Sequence, residues 1–422
     1  HSIPDCVSIV IDTPVGRIVH TGDFKFDETP ARNMKPAEVD KMEQVGKEGV
    51  LALLCESTNS TKPGHTISEK EVGEALDQAV GQADGRVILA SFSSQIGRIQ
   101  QVIDAAHKHG RKIYVSGRSM QNNIENATKL GYLYIPKGCI ADIRKYDEKS
   151  TPAKQTLLLT TGSQGEPMSA LTRIARGEHS HVRVTKGDTI IFSSSPIVGN
   201  ERAIYRVINS LCKIGANVIH NQIMDVHTSG HGKQEELARM INYMKPKYLI
   251  PIHGEYYMRQ GLGDLAAREC GIPANHTILL ENGKILVVEK GEKLVVAKET
   301  VETKYVLIDG HGEGTVDSNV IVDREVMSQN GCITVLVYVD KKTRKITRNP
   351  DIISRGFIYM HELDQITKEV SQVAVDAYNK LMKKDHKADR HSMKRYIKQS
   401  IDRFAYDRLQ RKPLIVPLII EG

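Results

Sequence analysis

The sequence predicts an α/β protein of more than one domain, and three observations carry that reading. Short strands end in His-Thr-Gly-Asp (20–23) and, far downstream, in Pro-Ile-His-Gly-Glu-Tyr (251–256). Between them, residues 70–220 alternate strand and helix regularly, the pattern of a parallel sheet covered by helices. Beyond residue 330 a strand, two helices and an apolar strand follow in order, which predicts a small α+β module. A chain of 422 residues is too long for one ordinary core.

Taken in order, residues 1–60 read as short strands at 6–11, 17–20 and 50–55, separated by Pro/Gly turns. A strand at 86–90 precedes a helix over 95–109, whose apolar residues fall at 96, 99, 102, 103 and 106. Strand 112–115 leads to helix 119–130, strand 156–160 to helix 168–176, and strand 189–192 to helix 200–214. A helix over 234–244 and a strand over 247–252 come next, and strand-rich sequence resumes at 277–297. The strand-rich texture of residues 1–60 thus returns after residue 230, so the α/β block reads as an insertion into a host domain. Residues 305–330 form a loop-containing connector, followed by strand 333–339, a Ser354-Arg-Gly-Phe-Ile-Tyr-Met segment, helices 362–384 and 389–409, and strand 413–420.

Each strand of the inserted block ends in small polar residues: Ser91-Phe-Ser93-Ser94, Ser116-Gly-Arg-Ser119, Thr161-Gly-Ser-Gln-Gly165 and Ser193-Ser-Ser-Pro196. The carboxyl ends of parallel strands form a ligand crevice, and the helix N-termini that follow favour phosphate. Four such turns on one edge point to a phosphate-lined crevice. Gly310-His-Gly-Glu-Gly314 reads as a loop and not a dinucleotide fingerprint, because no good helix follows it. Residues 162–167 lack the Gly-x-Ser-x-Gly arrangement of a nucleophile elbow.

Composition excludes several classes. With 40% hydrophobic and 26% charged residues the chain has a globular make-up, and no apolar run approaches the ~20 residues that span a bilayer. No secretory signal is visible, and the six cysteines contain no Cys-x-x-Cys pair, which argues against a cysteine zinc site and fits a reducing cytoplasm. The net charge of +7 is concentrated between Lys380 and Lys412, where twelve Lys/Arg meet four Asp/Glu. Such a run is either a solvated helix face or a patch for nucleic acid or acidic partners.

Imidazoles and a carboxylate at strand ends are what a zinc site on a sheet scaffold needs. His1 opens the chain in His-Ser-Ile-Pro-Asp, where a methionine would ordinarily stand. The expectation is therefore a metallohydrolase lacking its N-terminal portion and part of its metal site.

Six motifs carry a resemblance. His-Ser-Ile-Pro-Asp, His-Thr-Gly-Asp-Phe-Lys-Phe-Asp, Glu-Ser-Thr-Asn, Thr-Gly-Ser-Gln-Gly-Glu-Pro, His-Thr-Ser-Gly-His-Gly and Pro-Ile-His-Gly-Glu-Tyr occur in an order that resembles bacterial ribonuclease J, and the likeness covers essentially the whole chain. It implies a partial metallo-β-lactamase αββα sandwich with an inserted β-CASP parallel α/β domain and a small C-terminal α+β domain. The boundaries implied are 1–70 and 234–304 for the two parts of the host domain, 71–233 for the insertion, 305–330 for a linker and 331–422 for the last domain. It further implies a two-zinc ribonuclease of RNA maturation and decay, a 5′→3′ exonuclease preferring a 5′-monophosphate and also an endonuclease. The implied partners are single-stranded RNA, a second copy in a homodimer or homotetramer, and a paralogous subunit or other RNA-degradation proteins, in the cytoplasm and away from membranes.

Residue by residue, His1 matches a zinc ligand, Asp23 the carboxylate bridging two metals, and His253 the late ligand. Glu56 matches an acidic position that orients a neighbour. His231 matches the histidine beside the scissile phosphate, where it stabilises charge or protonates the leaving oxygen, while His227 is structural. Ser91, Ser93, Ser94, Ser229, Gly230 and His231 match regions that hold the 5′-phosphate and the first nucleotides. The departure from the pattern is the family's His-x-His-x-Asp-His motif, which occurs nowhere in these 422 residues. The expectation is an active full-length parent and a chain that, as it stands, binds zinc weakly and cleaves poorly. Two other readings are a catalytically weak partner subunit of an RNA-degrading complex and a small-molecule hydrolase of the metallo-β-lactamase superfamily. The inserted crevice and basic C-terminal module argue against the small-molecule hydrolase, and retention of His1, Asp23, His231 and His253 against the weak subunit.

Overall fold

Described in this computed structural model are residues 2–32, 34–289, 293–303, 306, 308, 317–357 and 363–422. In chain order the first unit, His1–Glu302, contains β1 (Ile9–Thr13), β2 (Gly16–His20), α1 (Val39–Glu48), β3 (Ala52–Glu56), α2 (Glu69–Gln82), β4 (Val87–Ser91), α3 (Ile96–Lys108), β5 (Lys112–Ser116), α4 (Arg118–Lys129) and β6 (Ile140–Asp142). It continues with β7 (Thr156–Thr160), α5 (Ala170–Ala175), β8 (Thr189–Ser193), α6 (Glu201–Ile214), β9 (Asn217–Ile219), α7 (Gln234–Met244), β10 (Tyr248–Ile252), α8 (Tyr256–Glu269), β11 (Lys284–Glu289) and β12 (Lys293–Thr300). The second unit, Thr303–Gly422, holds α9 (Ser318–Asn330), β13 (Cys332–Val339), β14 (Ile346–Arg355), α10 (Leu363–Lys384), α11 (Arg390–Leu409) and β15 (Leu414–Glu421).

The inserted block is a six-stranded sheet of order β6-β5-β7-β4-β8-β9, parallel at each pairing. Successive strand residues point to opposite faces, so a strand buried on both sides must be apolar throughout. β4 shows this: Val87 and Leu89 join the layer of α2, α3 and α4, whereas Ile88 and Ala90 pack with α5 and α6. Each fully buried side chain of this size contributes about 1.5–3 kcal/mol. α2 starts at a capping box, in which the Ser68 hydroxyl accepts from the Glu71 N–H and the Glu71 carboxylate accepts from the Ser68 N–H.

The host sheet has the order β1-β2-β3-β10, with β2, β3 and β10 parallel and β1 antiparallel to β2. Val19, Leu53, Cys55 and Leu249 face a helical layer of α1, α7 and α8. Ala52, Leu54 and Ile250 face the other way, against Leu286, Val288 and Leu294 of the β11–β12 hairpin. Helix, sheet and a second β layer are thus stacked in the manner of the expected sandwich. Among the described residues no helix is long and apolar enough to cross a membrane.

Several elements differ from the expectations. Residues 1–60 contain α1 as well as strands, and β1 begins at Ile9, three residues later than expected. α1 carries Gly46, a poor helix former, because a Cβ there would collide with the Tyr243 backbone of α7. α8 was hidden by Gly261 and Gly263, the latter packed under Thr277. The connector 305–330 ends in a helix, α9, whose largely exposed side chains give it no apolar face to read. The Gly310–Gly314 loop lies outside the described residues, as do residues 358–360 of the Ser-Arg-Gly-Phe segment.

The last module contains a strand that the sequence pattern concealed. β14 pairs antiparallel with β13, so the order is strand, strand, helix, helix, strand. Leu336 pairs with Asp351 and Tyr338 with Arg348, which leaves one extra residue in β14 around Asn349-Pro350. Proline is tolerated at such an edge-strand bulge, and the bulge breaks the alternation that marks a strand. α10 and α11 cover one face of this sheet through Val370, Ala374 and Tyr378 and through Met393, Ile397 and Ile401.

Candidate metal and RNA-cleavage centre

Three adjacent parallel strands build the centre. Ile252 lies opposite Glu56 and His20 opposite Leu54, so the carboxyl ends of β2, β3 and β10 share one edge. There the chain delivers Asp23 three residues after β2, Glu56 as the last residue of β3, and His253 directly after β10. His253 takes a positive φ of 50°, and its carbonyl accepts from the Thr58 hydroxyl at 3.1 Å and the Ser57 N–H at 3.4 Å. An L-residue in this region needs such over-determination, which fixes the direction of the imidazole.

His231 reaches the same edge from the return segment between β9 and α7. Its N–H donates to the Ser229 hydroxyl (3.0 Å), and its carbonyl accepts from the Asn59 side-chain amide (2.8 Å). Ligand atoms of Asp23, His231 and His253 all lie within 4.8 Å of one another. The His231 and His253 rings stack at 5.5 Å, and His253 Nε2 is 3.5 Å from Asp23 Oδ1. A carboxylate and two imidazoles converging at this range fit a divalent zinc-type cation by the chemistry of the donor set, which leaves room for further ligands. Glu56 is fully buried; its carboxylate accepts from the Phe24 N–H at 2.7 Å and lies 2.7 Å from His231 Nδ1. His231, expected beside the phosphate, therefore stands within the donor cluster as well. His1 lies outside the described residues.

The serine set is spread over different environments. Ser94 is exposed and Ser93 half-buried, while Ser91 is buried with its hydroxyl on Gln95 (3.3 Å). Ser229 is half-buried and accepts from Asn59 and from the His231 N–H; Gly230 is buried. The turns after β4, β5, β7 and β8 do share one edge, as the parallel registers require. α3, α4 and α6 begin there without a side-chain cap, so N–H groups are available to an anion. Within the turn after β5, Ser116 is buried against His179 Nε2 at 2.9 Å. Burial pushes that imidazole down to about 4, with Arg173 and His181 adding to the effect.

Sequence reasoning missed the buried polar frame behind these loops. Arg98, only 1% exposed, donates to the Val226 carbonyl (2.7 Å) and to the Glu69 carboxylate (2.7 Å), and also bonds Ser193. Lys25, two residues past Asp23, is 3.0 Å from Asp27 and 3.9 Å from Glu69. The Asp23 loop, α2, α3 and the segment leading to His231 are thus pinned to one cluster of charges. Glu236 plays a similar part, accepting from the N–H groups of Phe26, Thr66 and Lys233. Its one signal in the sequence was the acidic first turn just after the His-Thr-Ser-Gly-His-Gly motif. His227, 6% exposed, is held neutral: burial, then Arg98 and Lys25, lower it to about 3.

Comparison with known proteins decides the relationship. Residues 84–211 match the family model for the ribonuclease J β-CASP domain, 217–277 that for a Zn-dependent metallo-hydrolase RNA specificity domain, and 319–422 that for the ribonuclease J C-terminal domain. The chain is 42% identical over 420 residues to Ribonuclease J 1 of Streptococcus pyogenes, which covers all of this chain and 74% of that protein. The chain belongs to the ribonuclease J family. Ribonuclease J2 of Bacillus subtilis is 38% identical over 421 residues, with 74% of its length covered. Ribonuclease J of Thermus thermophilus is 38% identical over 426 residues, with 71% covered. The ribonuclease J fold accounts for the layers described above: the β-CASP match covers five strands of the six-stranded sheet, β4 to β8, and the RNA specificity match runs from its edge strand β9 to the turn after α8, His231 and His253 included.

Proposed function

We propose that this chain acts as a zinc-dependent ribonuclease that hydrolyses RNA phosphodiester bonds, 5′→3′ from 5′-monophosphate ends and also internally, in RNA maturation and decay. The observation that carries it is the convergence of Asp23, His231 and His253 on one strand edge, in a chain matched along its whole length by ribonuclease J relatives. Asp23 and His253 would hold the zinc, with His1 a further donor, while His231, though within the donor cluster, would be left to face the phosphate. Bound cations of this kind supply Lewis-acid polarisation of a phosphoryl oxygen.

The chain's own groups do the rest. Glu56, enclosed and already holding the Phe24 N–H, keeps a proton on His231 Nδ1. Nε2 is then the nitrogen that stabilises charge on the phosphate or delivers a proton to the leaving oxygen as water displaces it at phosphorus. Ser93, Ser94 and Ser229, together with N–H groups of the uncapped helices, are suited to the 5′-phosphate, while enclosed Ser91 shapes the turn. A small-molecule hydrolase would have no use for this crevice or for the basic face of α11.

Self-association belongs to the same reading. Val416, Leu418 and Ile420 lie exposed on the face of the C-terminal sheet opposite its helices. A homodimer or homotetramer would use such a surface, and Leu418→Lys should then yield a smaller species by light scattering. A paralogous subunit or other RNA-degradation proteins, in a cytoplasmic setting, complete the proposal. The test of substrate end is direct: Ser93→Ala/Ser94→Ala should slow exonucleolysis of 5′-monophosphorylated RNA more than that of 5′-hydroxyl RNA. Equal losses on the two would remove the phosphate-reading role.

A further inference from the structure

The first turn of α8, which begins three residues after His253, carries two exposed aromatic rings. Tyr256 is 54% and Tyr257 58% exposed, three and four residues after His253, and residues 253–257 are exposed throughout. The other aromatics around this sheet behave differently: Phe24, Phe26 and Tyr248 are buried and pack edge-on or tilted against neighbours. Tyr256 and Tyr257 contribute no side chain to the buried core under α8. Its core contacts come from Leu262, Leu265 and Ala266 instead.

Tyr256 is also held in place. The Arg259 guanidinium, one turn along, stands 5.5 Å from its ring centroid and is anchored by a hydrogen bond to the Leu280 carbonyl. A cation fixed over an aromatic face attracts the ring quadrupole and restricts its rotation. A restrained ring loses little entropy when a second planar group stacks on it. Single-stranded RNA offers such planar groups, and its bases are bound by stacking on Tyr, Phe or Trp without a demand for sequence. Position adds direction, since Tyr256 follows His253 by only three residues in the chain.

We propose that Tyr256, steadied by Arg259, forms a stacking platform for an unpaired nucleobase adjacent to the scissile phosphodiester; Tyr257, the next residue of the helix, projects to a different side. This rests on the ribonuclease reading above and deepens it: the platform demands an unstacked base, so it selects single-stranded over duplex RNA at the cleavage point. It makes no sequence-specific contact.

The test measures equilibrium binding of a fluorescently labelled, 5′-monophosphorylated oligouridylate by anisotropy, with EDTA present so that no strand is cut. A companion series of probes carries a single abasic position walked along the strand. Tyr256→Ala should weaken binding of the intact probe roughly 5- to 150-fold, whereas Tyr256→Phe should keep it and Tyr257→Ala should change it far less. On one abasic probe Tyr256→Ala and the unaltered chain should bind alike, because the base that stacks is gone. Tyr256 is exposed, so circular dichroism should report an unchanged fold. Equal affinity of Tyr256→Ala for the intact probe, or a Tyr256→Ala penalty that no abasic position removes, overturns the platform. If the unaltered chain binds no RNA, the ribonuclease reading falls and the platform falls with it.

Discussion

His231 Nδ1 lies 2.7 Å from Oε2 of Glu56, joining a catalytic candidate on the segment that follows the inserted sheet to a fully buried acid at the end of β3. The two residues are 175 positions apart, and the hydrogen bond fixes both the tautomer and the tilt of the imidazole.

Glu56→Gln keeps the shape but replaces the charged acceptor. Turnover on RNA should fall about 10- to 100-fold with little change in KM. A kcat like that of the unaltered chain would show that Glu56 only closes the turn.

The Arg98 frame should respond non-additively. Removing one partner strands a buried charge, so Arg98→Met alone should lower unfolding free energy by about 3–5 kcal/mol. Arg98→Met/Glu69→Leu should lose less than the single change, since neither charge is then left unpaired. Urea unfolding midpoints distinguish this from simple addition, which would mean the ion pair is not the unit that matters.

Burial of His227 gives stability a pH dependence. The unfolded chain protonates this ring near 6.5, the folded chain only near 3. Between those values the unfolded state holds the extra proton. Stability from this group is therefore full above pH 6.5 and declines as pH falls toward 3, by at most about 1.4 kcal/mol per pH unit. Denaturant midpoints at pH 7 and pH 5 should converge in His227→Gln. An unchanged difference would assign the acid sensitivity to other groups.

The basic face of α11 has a separate signature. Arg395, Lys398 and Arg403 are exposed, opposite the buried row Met393, Ile397 and Ile401. If they grip RNA backbone, each change to Gln should reduce the salt slope of binding by roughly 0.7. An unaltered slope would leave the run as a solvated helix face.

The sequence was most legible where chemistry and periodicity coincide. The strand–helix alternation of the inserted sheet can be read because strands buried on both faces are apolar throughout, as Val87–Ser91 is. Asp23 and His253 stood out because each lies just beyond a strand end, in a polar turn, whereas Glu56 and His231 were legible only through the resemblance to ribonuclease J. β14 escaped because its bulge at Asn349-Pro350 destroys the alternation, and α1 and α8 because Gly46, Gly261 and Gly263 serve close packing and not helix propensity. The Arg98–Glu69–Lys25 frame was invisible for another reason: its partners come from four segments, and only the fold brings them together.

The most direct measurement is zinc content together with cleavage of 5′-monophosphorylated RNA, made on the unaltered chain, Asp23→Ala and His253→Ala. The two alanine variants should lose bound zinc and phosphodiester cleavage together while retaining the far-ultraviolet dichroism of the fold. Cleavage by Asp23→Ala at undiminished rate and zinc content would contradict the proposed centre.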